Sequence, residues 1–398
     1  MKRKWLEVSI ILLFIETAVI PTNGQKIEKQ SPPDSRGNIL YVGGNGPGNY
    51  TRIQDAIIHA SDGDTVFVYH DKSPYYEHVT ISHSIHLIGE DRNTTVIDGH
   101  NSGDVVKIYT NNVTISGFTV QNGCKLSNNA GIMALYQSYN TIIHNNIFNN
   151  SEGILLGGWG VPGGFGPSSS YNNISDNNIS YNNFRGVYIT GVNYPLKNID
   201  NVIQGNIISH NNGGGIGVRF FSTFRTKIIN NKIFNNGGGG IYCASESDEI
   251  CYNEIYSNKG GGIIYEYEGT NVTISHNRIY QNSGYGIYLY GRFGYFLINF
   301  TISKNDIELN SAGIVMSETM KSKIMQNNIY HNIVNAFIGN SLGNKWDGNY
   351  WGPLNRIKII GGFVQPFGWQ QFFPLLFLIT VPSFNVDWHP VQKPYDIP

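Results

Sequence analysis

A nine-residue pattern, Ile-x-x-Asn-x-Ile-x-x-Asn, occurs eight times in the chain and constrains its fold more than any other feature. Three or four residues after the closing Asn, seven copies continue with Gly and a β-branched residue, as in Gly240-Ile241. Each unit therefore contains three short apolar segments separated by Asn and Gly, which is typical of strands and turns rather than helices. The first isoleucines of the eight copies are Ile142, Ile174, Ile203, Ile228, Ile250, Ile274, Ile302 and Ile324.

The spacing of the copies predicts how the units pack. Successive copies begin 22 to 32 residues apart, and the shortest interval fits one coil of three short strands. One coil cannot bury its isoleucine face alone, so the coils must stack on each other. We therefore predict an all-β fold, a right-handed single-stranded parallel β-helix with isoleucines inside and asparagines at the corners. Asparagine suits a corner because it tolerates left-handed backbone and can bond its counterpart in the next coil.

Both ends of such a stack need caps that prevent further strands from pairing. The segment "YTRIQDAIIHASDGDTVFVY" predicts an amphipathic capping helix at about residues 51–61, in which Thr51 and Gln54 form a capping box. Beyond Asn344 we recognise no further copy of the repeat, and we interpret residues 344–398 as an aromatic C-terminal cap. The predicted β-helix domain therefore comprises residues 38–343.

The N-terminus predicts export. A basic start at residues 1–4 precedes a short apolar run at residues 8–15, which is the layout of a cleaved secretory signal, here assigned to residues 1–24 with a linker at 25–37. An uncleaved tether and a misassigned start codon are the alternatives. We expect a secreted, periplasmic or cell-surface protein with no membrane span after cleavage, because "FFPLLFLITV" is too short to cross a bilayer. A net charge of −1 with 14 % charged residues disfavours nucleic acid as a partner.

Several stretches resemble a known family. The segments "IQDAIIHASDGDTVFVY" and "YYEHVTISHSIHLIGEDRNTTVIDG", together with the Asn-x-Ile repeats, resemble the NosD-like, pectin-lyase-fold β-helix proteins that are grouped as carbohydrate-binding and sugar-hydrolase domains. The resemblance implies a protein that acts on, or binds, polysaccharide or a cell-surface glycan. Copper is not carried over, because the histidines fall at different coil offsets, namely His144, His210, His276 and His331. No cofactor is expected, except Ca²⁺ if the protein is a lyase.

Aligning the coils suggests where chemistry could occur. Counted from the Gly of each Gly-Ile pair, the sixth residue is Glu246, Glu268 or Arg292 in three successive coils, and the fourth is Arg219, Ala244, Glu266 or Tyr290. Stacked carboxylates could form an acid–base pair for glycosidic cleavage or hold Ca²⁺; alternatively, they are solvated turn residues. The candidate catalytic residues are Glu246, Glu268, Glu266 and Arg292. Asp248 and Glu249 add charge to this edge, and the candidate substrate-binding residues are Arg219, Tyr265, Tyr267, Tyr288, Tyr290 and Trp159.

Insertions add a second indication of a binding edge. All the length variation between repeats enters after the Gly-Ile strand, so the loops should project along one edge, as binding loops of repeat proteins often do. These loops contain rings that could stack on sugars or cover the loops themselves, namely Trp159, Phe165, Tyr194, Phe293 and Tyr295.

Three functional hypotheses follow. The first is a non-catalytic protein of the cell surface that binds glycan or has a structural role. The second is a polysaccharide hydrolase or lyase that uses the carboxylates above. The third is a NosD-like accessory factor for metalloenzyme maturation, which the missing ligand cluster disfavours.

Overall fold

The computed structural model describes residues 37–126, 128–158, 169–191, 198–219, 223–267, 269–292, 295–353, 358–364 and 381–397. The chain winds into a parallel β-helix with three faces, which we call face 1, face 2 and face 3 in the order in which each coil visits them. Within these ranges, face 2 has eleven strands, one for each complete coil. The predicted all-β parallel β-helix is thus confirmed.

The strands of each face pair in parallel with the strands of the coils above and below. Face 1 consists of β1 (Ile39–Val42), β2 (Thr65–Val68), β5 (His86–Gly89), β8 (Thr114–Ser116), β11 (Thr141–Ile143), β14 (Asn173–Ser175), β18 (Val202–Gln204), β22 (Lys227–Ile229), β25 (Glu249–Cys251), β29 (Thr273–Ser275), β33 (Thr301–Ser303), β37 (Lys323–Met325) and β40 (Lys345–Asp347). Face 2 consists of β3 (Tyr75–Tyr76), β6 (Val96–Asp98), β9 (Thr119–Gln121), β12 (Asn146–Phe148), β15 (Asn178–Ser180), β19 (Ile207–Ser209), β23 (Lys232–Phe234), β26 (Glu254–Tyr256), β30 (Arg278–Tyr280), β34 (Asp306–Glu308) and β38 (Asn328–Tyr330).

Face 3 carries the Gly-Ile segments of the repeat. It consists of β4 (Val79–Ile81), β7 (Val106–Ile108), β10 (Ala130–Leu135), β13 (Glu152–Gly157), β16 (Val187–Thr190), β20 (Ile216–Arg219), β24 (Ile241–Cys243), β27 (Ile263–Tyr267), β31 (Tyr285–Gly291), β35 (Ala312–Ser317) and β39 (Val334–Gly339). Short strands follow at the corner that leads back to face 1, namely β17 (Asn198–Ile199), β21 (Thr223–Phe224), β28 (Gly269–Thr270), β32 (Leu297–Ile298) and β36 (Thr319–Met320). The antiparallel pair β41 (Lys358–Val364) and β42 (Val381–Asp387) follows the last coil.

The template isoleucines form the core in exact register. Ile228 pairs with Ile203 on one side and with Ile250 on the other, and the second isoleucine of each template does the same on face 2. All three of these side chains are fully buried. Each buried isoleucine contributes about 1.5–3 kcal/mol of hydrophobic free energy, which a single coil could not realise because the coils above and below cover the side chain.

Two ladders of buried asparagines run along the corners on either side of face 2. In the first ladder, the backbone N–H and side-chain Nδ2 of Asn253 both donate to Oδ1 of Asn277, at 3.0 and 2.9 Å. Oδ1 of Asn253 in turn accepts the corresponding two hydrogen bonds from Asn231. Nδ2 of Asn253 also donates to the carbonyl oxygens of Ile228 and Cys251. Each amide therefore satisfies the backbone groups that the bend leaves unpaired.

The left-handed backbone lies one residue earlier than the sequence suggested. Tyr252 and His276 have φ values of 59° and 55°, whereas Asn253 and Asn277, which follow them, are not among the residues with positive φ. The role of the asparagine is therefore to point inward and hydrogen-bond, while the preceding outward-facing residue makes the bend. This explains why His, Tyr, Asp, Lys and Gln all occur at the bending position, since its side chain meets no neighbour in the core.

The first ladder ends on a buried aspartate. Oδ2 of Asp387 accepts hydrogen bonds from the backbone N–H and Nδ2 of Asn349 and from Nε1 of Trp351, each at 3.0 Å. Asn349 belongs to a ninth copy of the repeat, Trp346-x-x-Asn349-x-Trp351, with Trp in place of Ile, and Trp346 pairs in register with Ile324. Our interpretation that the repeat stops before residue 344 was therefore wrong. The template required Ile, and the ninth copy has Trp at both of these positions. A carboxylate accepts without donating, so it closes a ladder of amides.

The N-terminal helix α1 (Ile53–His59) covers the open end of the core and buries Ile53, Ala56 and Ile57. Its cap differs from the predicted capping box, because Glu77 of the next coil supplies the carboxylate. The backbone N–H groups of Ile53 and Gln54 donate to the two oxygens of Glu77, at 2.9 and 3.0 Å. The Gln54 amide instead bonds the backbone N–H and carbonyl of Thr80, at 2.7 and 3.1 Å, and so pairs with the free edge of β4.

We expect Asn253→Ala to lower the free energy of unfolding by about 3 kcal/mol, because it leaves the buried N–H of Asn231 and the carbonyl of Ile228 without partners. Asn230→Gly changes an exposed residue at a left-handed position (φ 56°) and should cost less than about 1 kcal/mol. Urea unfolding of both variants provides the measurement. Equal losses would show that the amide ladder does not stabilise the corner.

We expect Glu77→Ala to lower the free energy of unfolding by about 2 kcal/mol, because it removes both hydrogen bonds at the N-terminus of α1. The matched variant Thr51→Ala removes the hydroxyl that the sequence had suggested as the cap, and it should have almost no effect. Thermal unfolding of the two variants distinguishes these caps. A larger loss for Thr51→Ala would contradict the observed arrangement.

Candidate functional site

The candidate site lies on the outer surface of face 3. Along each strand of this face the side chains alternate, so that Ile263 and Tyr265 of β27 point into the core while Ile264 and Glu266 point outward. In the next coil, Tyr288 and Tyr290 lie directly beside Ile264 and Glu266. Because rungs are about 4.8 Å apart, outward side chains of neighbouring coils form rows that run parallel to the helix axis.

Glu266 ends a hydrogen-bonded chain that spans three coils. Nη2 of Arg219 donates to the Tyr242 hydroxyl at 3.3 Å, and this hydroxyl donates to Oε2 of Glu266 at 2.7 Å. The guanidinium carbon of Arg219 also lies 4.5 Å from the centre of the Tyr242 ring. Partial burial and the Glu266 carboxylate raise the pKa of Tyr242 well above its usual value, so the phenol remains a donor. Of the fourth-position alignment of Arg219, Ala244, Glu266 and Tyr290, the register directly pairs Glu266 with Tyr290.

Arg292 lies at the end of β31, beside the aromatic residues. Its Nη1 donates to the Tyr267 hydroxyl at 2.9 Å, and its guanidinium carbon lies 5.6 Å from the centre of the Tyr290 ring. Along the same strand, the rings of Tyr285 and Tyr288 stack with centres 4.5 Å apart, and those of Tyr288 and Tyr290 stack at 5.6 Å. The phenols therefore form one aromatic wall, with a guanidinium at its end.

A cleft of about 420 Å³, which we call the tyrosine cleft, opens beside this wall. It arises from side-chain size in three consecutive rungs. Tyr288 lies next to Val315, which lies next to Phe337, while Tyr290 lies next to Ser317. Small residues in the middle rung leave a trough bounded by rings, and two rung spacings make it about 10 Å wide. An apolar trough with hydroxyls at its rim suits a ligand that has both ring faces and polar groups.

The predicted stacking of Glu246 with Glu268 and Arg292 is wrong for Glu246. Strand β24 ends at Cys243, and the chain then turns at once, so Glu246 bridges to Phe224 in one neighbouring coil and accepts a hydrogen bond from Thr270 in the other. Glu246 therefore lies at the corner that leads to face 1, while Glu266 lies on face 3. Counting from Gly failed because β24 is shorter than β27. Glu268 and Trp159 lie outside the described residues, as do Phe165, Tyr194 and Phe293.

Two other expected surface residues are buried. Tyr265 is 0 % exposed and cannot contact a glycan, so its assignment as a binding residue was wrong. Asp248 occupies the position that Asn201 holds two coils earlier, and it is also buried. One of its oxygens accepts the Thr226 backbone N–H at 2.9 Å, and the other accepts the hydroxyls of Ser245 and Tyr265. This carboxylate therefore supports the corner and is not part of the surface.

The sequence analysis missed the ion pair between Arg185 and Glu152 on face 3. Arg185 donates through its backbone N–H and Nη1 to the two oxygens of Glu152, at 2.7 and 2.8 Å, and burial raises the pKa of this carboxyl. Both residues directly precede the Gly of a Gly-Ile or Gly-Val pair, so the repeat alignment could have revealed them. Arg185 also lies 4.1 Å from the centre of the Tyr188 ring, which favours a structural role.

Face 2 carries a second row of aromatic residues with different geometry. The rings of Phe234, Tyr256 and Tyr280 stack on one another along the helix axis, with centres 5.0 and 4.9 Å apart. Their faces cover each other, and their flanking charges alternate in register, with Lys232 beside Glu254 and Glu254 beside Arg278. This row therefore has few ring faces left for a ligand.

The described ranges contain no group of three or more His, Cys, Asp and Glu side chains that could share a metal ion. In the same ranges, no helix has the length and apolar character needed to cross a bilayer.

The family model described as "Right handed beta helix region" matches residues 38–218 and 168–302. These matches cover more than half of the chain, which therefore belongs to this family of right-handed parallel β-helix proteins. No curated protein matches the sequence significantly.

Solved structures share the fold at low identity. A lacto-N-biosidase from Eubacterium ramulus is 12 % identical, with a TM-score of 0.59 over 79 % of this chain and 67 % of that one. The Dettilon tailspike protein is 14 % identical, with a TM-score of 0.51 over 79 % and 62 % of the two chains. The A-module of a mannuronan C-5 epimerase from Azotobacter vinelandii is 16 % identical, with a TM-score of 0.50 over 75 % and 81 %. At these identities the similarity concerns the fold alone.

We expect the stability of the protein to depend on Asp248 in a defined pH window. Burial raises the pKa of Asp248 to about 6, above the value of about 3.9 in an unfolded chain. The unfolded state therefore ionises first, so this residue's contribution is full below about pH 4 and decreases by about 3 kcal/mol as the pH rises through about 6. Asp248→Asn should lack this decrease, which urea unfolding at pH 4 and pH 7 can measure.

The control for this experiment is Glu249→Gln, which changes the neighbouring, outward-facing carboxylate. The difference in unfolding free energy between Glu249→Gln and the wild type should be similar at pH 4 and pH 7. The corresponding difference for Asp248→Asn should change between these two pH values. Parallel stability curves for the wild type and Asp248→Asn would show that Asp248 ionises normally in the folded protein.

Proposed function

We propose that the protein is an exported β-helix protein that binds polysaccharide through the tyrosine cleft. Within its family, we place it with the NosD-like carbohydrate-binding and sugar-hydrolase group, on the basis of the motifs quoted above. The cleft carries the proposal. Its floor is apolar, with Val315 between Tyr288 and Phe337, and Ser317 and the tyrosine hydroxyls can bond sugar hydroxyls. Two of the similar structures are named for saccharide substrates, which supports the same ligand class.

Binding is favoured over cleavage by the arrangement of the carboxylates. Glu266 accepts a hydrogen bond from Tyr242 and lies one rung from the tyrosine wall, but Glu246 lies in another row, at the corner. An acid–base mechanism needs two carboxyl groups facing the same bond, about 5 to 9.5 Å apart. Glu266 lies on face 3 and Glu246 lies at the corner that leads to face 1, so we infer that this pair does not face one glycosidic bond.

Cleavage by a hydrolase or lyase is the second candidate, because similar structures are named as enzymes that act on saccharides. Glu266, with Arg219 and Arg292 on the same face, would supply the charged groups, and Ca²⁺ would be needed if a lyase had to neutralise a uronate. A metalloenzyme accessory role remains the third proposal, and copper titration of the purified protein tests it.

We expect Tyr288→Ala and Phe337→Ala each to weaken polysaccharide binding about tenfold, or about 1.4 kcal/mol, because each removes one wall of the trough. Binding to neutral and acidic polysaccharides can be measured by affinity electrophoresis and calorimetry. Tyr256→Ala is the matched control, since it removes an equally large ring from the stacked row on face 2. A loss with Tyr256→Ala that equals the loss with Tyr288→Ala would move the binding surface away from the cleft.

The same samples decide between binding and cleavage. Reducing ends and unsaturated uronates are measured with and without Ca²⁺ for the wild type, Glu266→Gln and Glu246→Gln. Binding without product favours the first proposal. Product formation that Glu266→Gln abolishes would establish the second proposal instead.

A further inference from the structure

A serine and a histidine meet at the N-terminal end of face 3, far from the tyrosine cleft. Nε2 of His78 lies 3.0 Å from Oγ of Ser102. His78 directly precedes β4, and Ser102 belongs to the turn "DGHNSGD" before β7, so neighbouring coils bring the two side chains together. Both residues are exposed.

The other ring nitrogen of His78 fixes the tautomer. Nδ1 lies 2.8 Å from the backbone carbonyl oxygen of Asp104. Because a carbonyl oxygen can only accept, Nδ1 must carry the proton, and in the neutral ring Nε2 then presents its lone pair to Ser102. The Ser102 hydroxyl can donate to this lone pair; its alternative acceptor is the Gly99 carbonyl at 3.2 Å. A nucleophile, a base and a group that orients the base are thus aligned.

The pair opens into a cleft of about 300 Å³ on the outer surface of face 3. Thr80 and Lys107, which pair in register, line this cleft with Gly103. Gly103 has φ 47°, and a β-carbon there would lie 3.4 Å from Cε1 of His78, so glycine leaves space beside the imidazole. Nζ of Lys107 lies 3.1 Å from Oδ2 of Asp104, which holds a positive charge at the edge of the cleft.

We propose that Ser102 and His78 form an active site that hydrolyses small carboxylic esters, such as short acyl groups on a sugar hydroxyl. A serine activated by an imidazole attacks an sp² acyl carbon, and the size of the cleft suits a short acyl chain. Lys107 provides the positive charge that a developing oxyanion requires. This activity is independent of the proposed polysaccharide binding, because it uses different residues at the other end of face 3.

The reaction is balanced with water as the only co-reactant. Ser102 Oγ bonds to the acyl carbon while its proton passes to Nε2 of His78. The ester C–O bond then breaks, and the leaving alcohol takes that proton. Water attacks the acyl-serine, His78 accepts a proton from the water, and the Oγ–C bond breaks. Ser102 recovers its proton from His78, and a carboxylic acid is released.

The test uses the full chain and p-nitrophenyl acetate, an ester without a sugar, so that its outcome does not depend on the tyrosine cleft. We expect hydrolysis above the buffer rate, and a loss of about a hundredfold or more in Ser102→Ala and His78→Asn. Asn at position 78 can still donate to the Asp104 carbonyl but cannot act as the base. A fluorophosphonate, which bonds to an activated serine Oγ and releases fluoride, should label Ser102 once per chain.

The matched control is Ser82→Ala. Ser82 contacts its neighbour His83, with Oγ 3.3 Å from Nδ1, so it forms a second exposed Ser–His contact, but one made between adjacent residues. Hydrolysis and labelling should be unchanged in this variant, and circular dichroism should show all variants folded. No hydrolysis above buffer with no adduct on Ser102, or equal rates for the wild type and Ser102→Ala, would overturn the proposal.

Discussion

Hydrogen bonds between asparagine side chains of successive coils hold the corners of this protein, and the rest of the structure depends on them. A corner interrupts the strand pairing on either side, so its backbone groups need other partners or water. One inward amide per corner meets this need, because it accepts through Oδ1 and donates through Nδ2 at the same time. Since successive coils of the repeat both give and receive these bonds, the register of one coil determines the register of the next.

This constraint leaves the outside of the coil free to vary. Each core position is enclosed by the side chains of the coils above and below, as Ile203, Ile228 and Ile250 are in one row. Outward positions meet only their neighbours in the adjacent rungs, so any change in side-chain size along a row creates a wall or a trough. The tyrosine cleft is such a change, from Tyr288 to Val315 to Phe337. A binding surface can therefore arise on this scaffold without any change in the core or the corners.

Most of the core could be predicted from the sequence because the repeat is strict where the side chains face inward. The template correctly indicated the β-helix and its buried isoleucines. It misplaced Glu246, because the position of an outward residue depends on where each strand ends. Tyr265 was misplaced for another reason, because it alternates with the outward Ile264 and Glu266 along β27 and so faces the core. Strand β24 stops at Cys243, whereas β27 continues to Tyr267, and no local feature of the sequence marks this difference. The contact between His78 and Ser102 lies in the irregular first coils, where no template existed to align them.

The sequence by itself determined that this chain forms stacked coils with isoleucine inside and asparagine at the bends, since only stacking can bury so regular an apolar pattern. The tertiary structure alone decided which outward residues meet. Contacts such as those from Arg219 through Tyr242 to Glu266 join residues 23 and 24 positions apart, and one residue more or less in a turn would separate them. Inside the coil, burial and hydrogen bonding fix the register of each residue. On the outside, nothing in the repeat determines which residues of neighbouring coils meet.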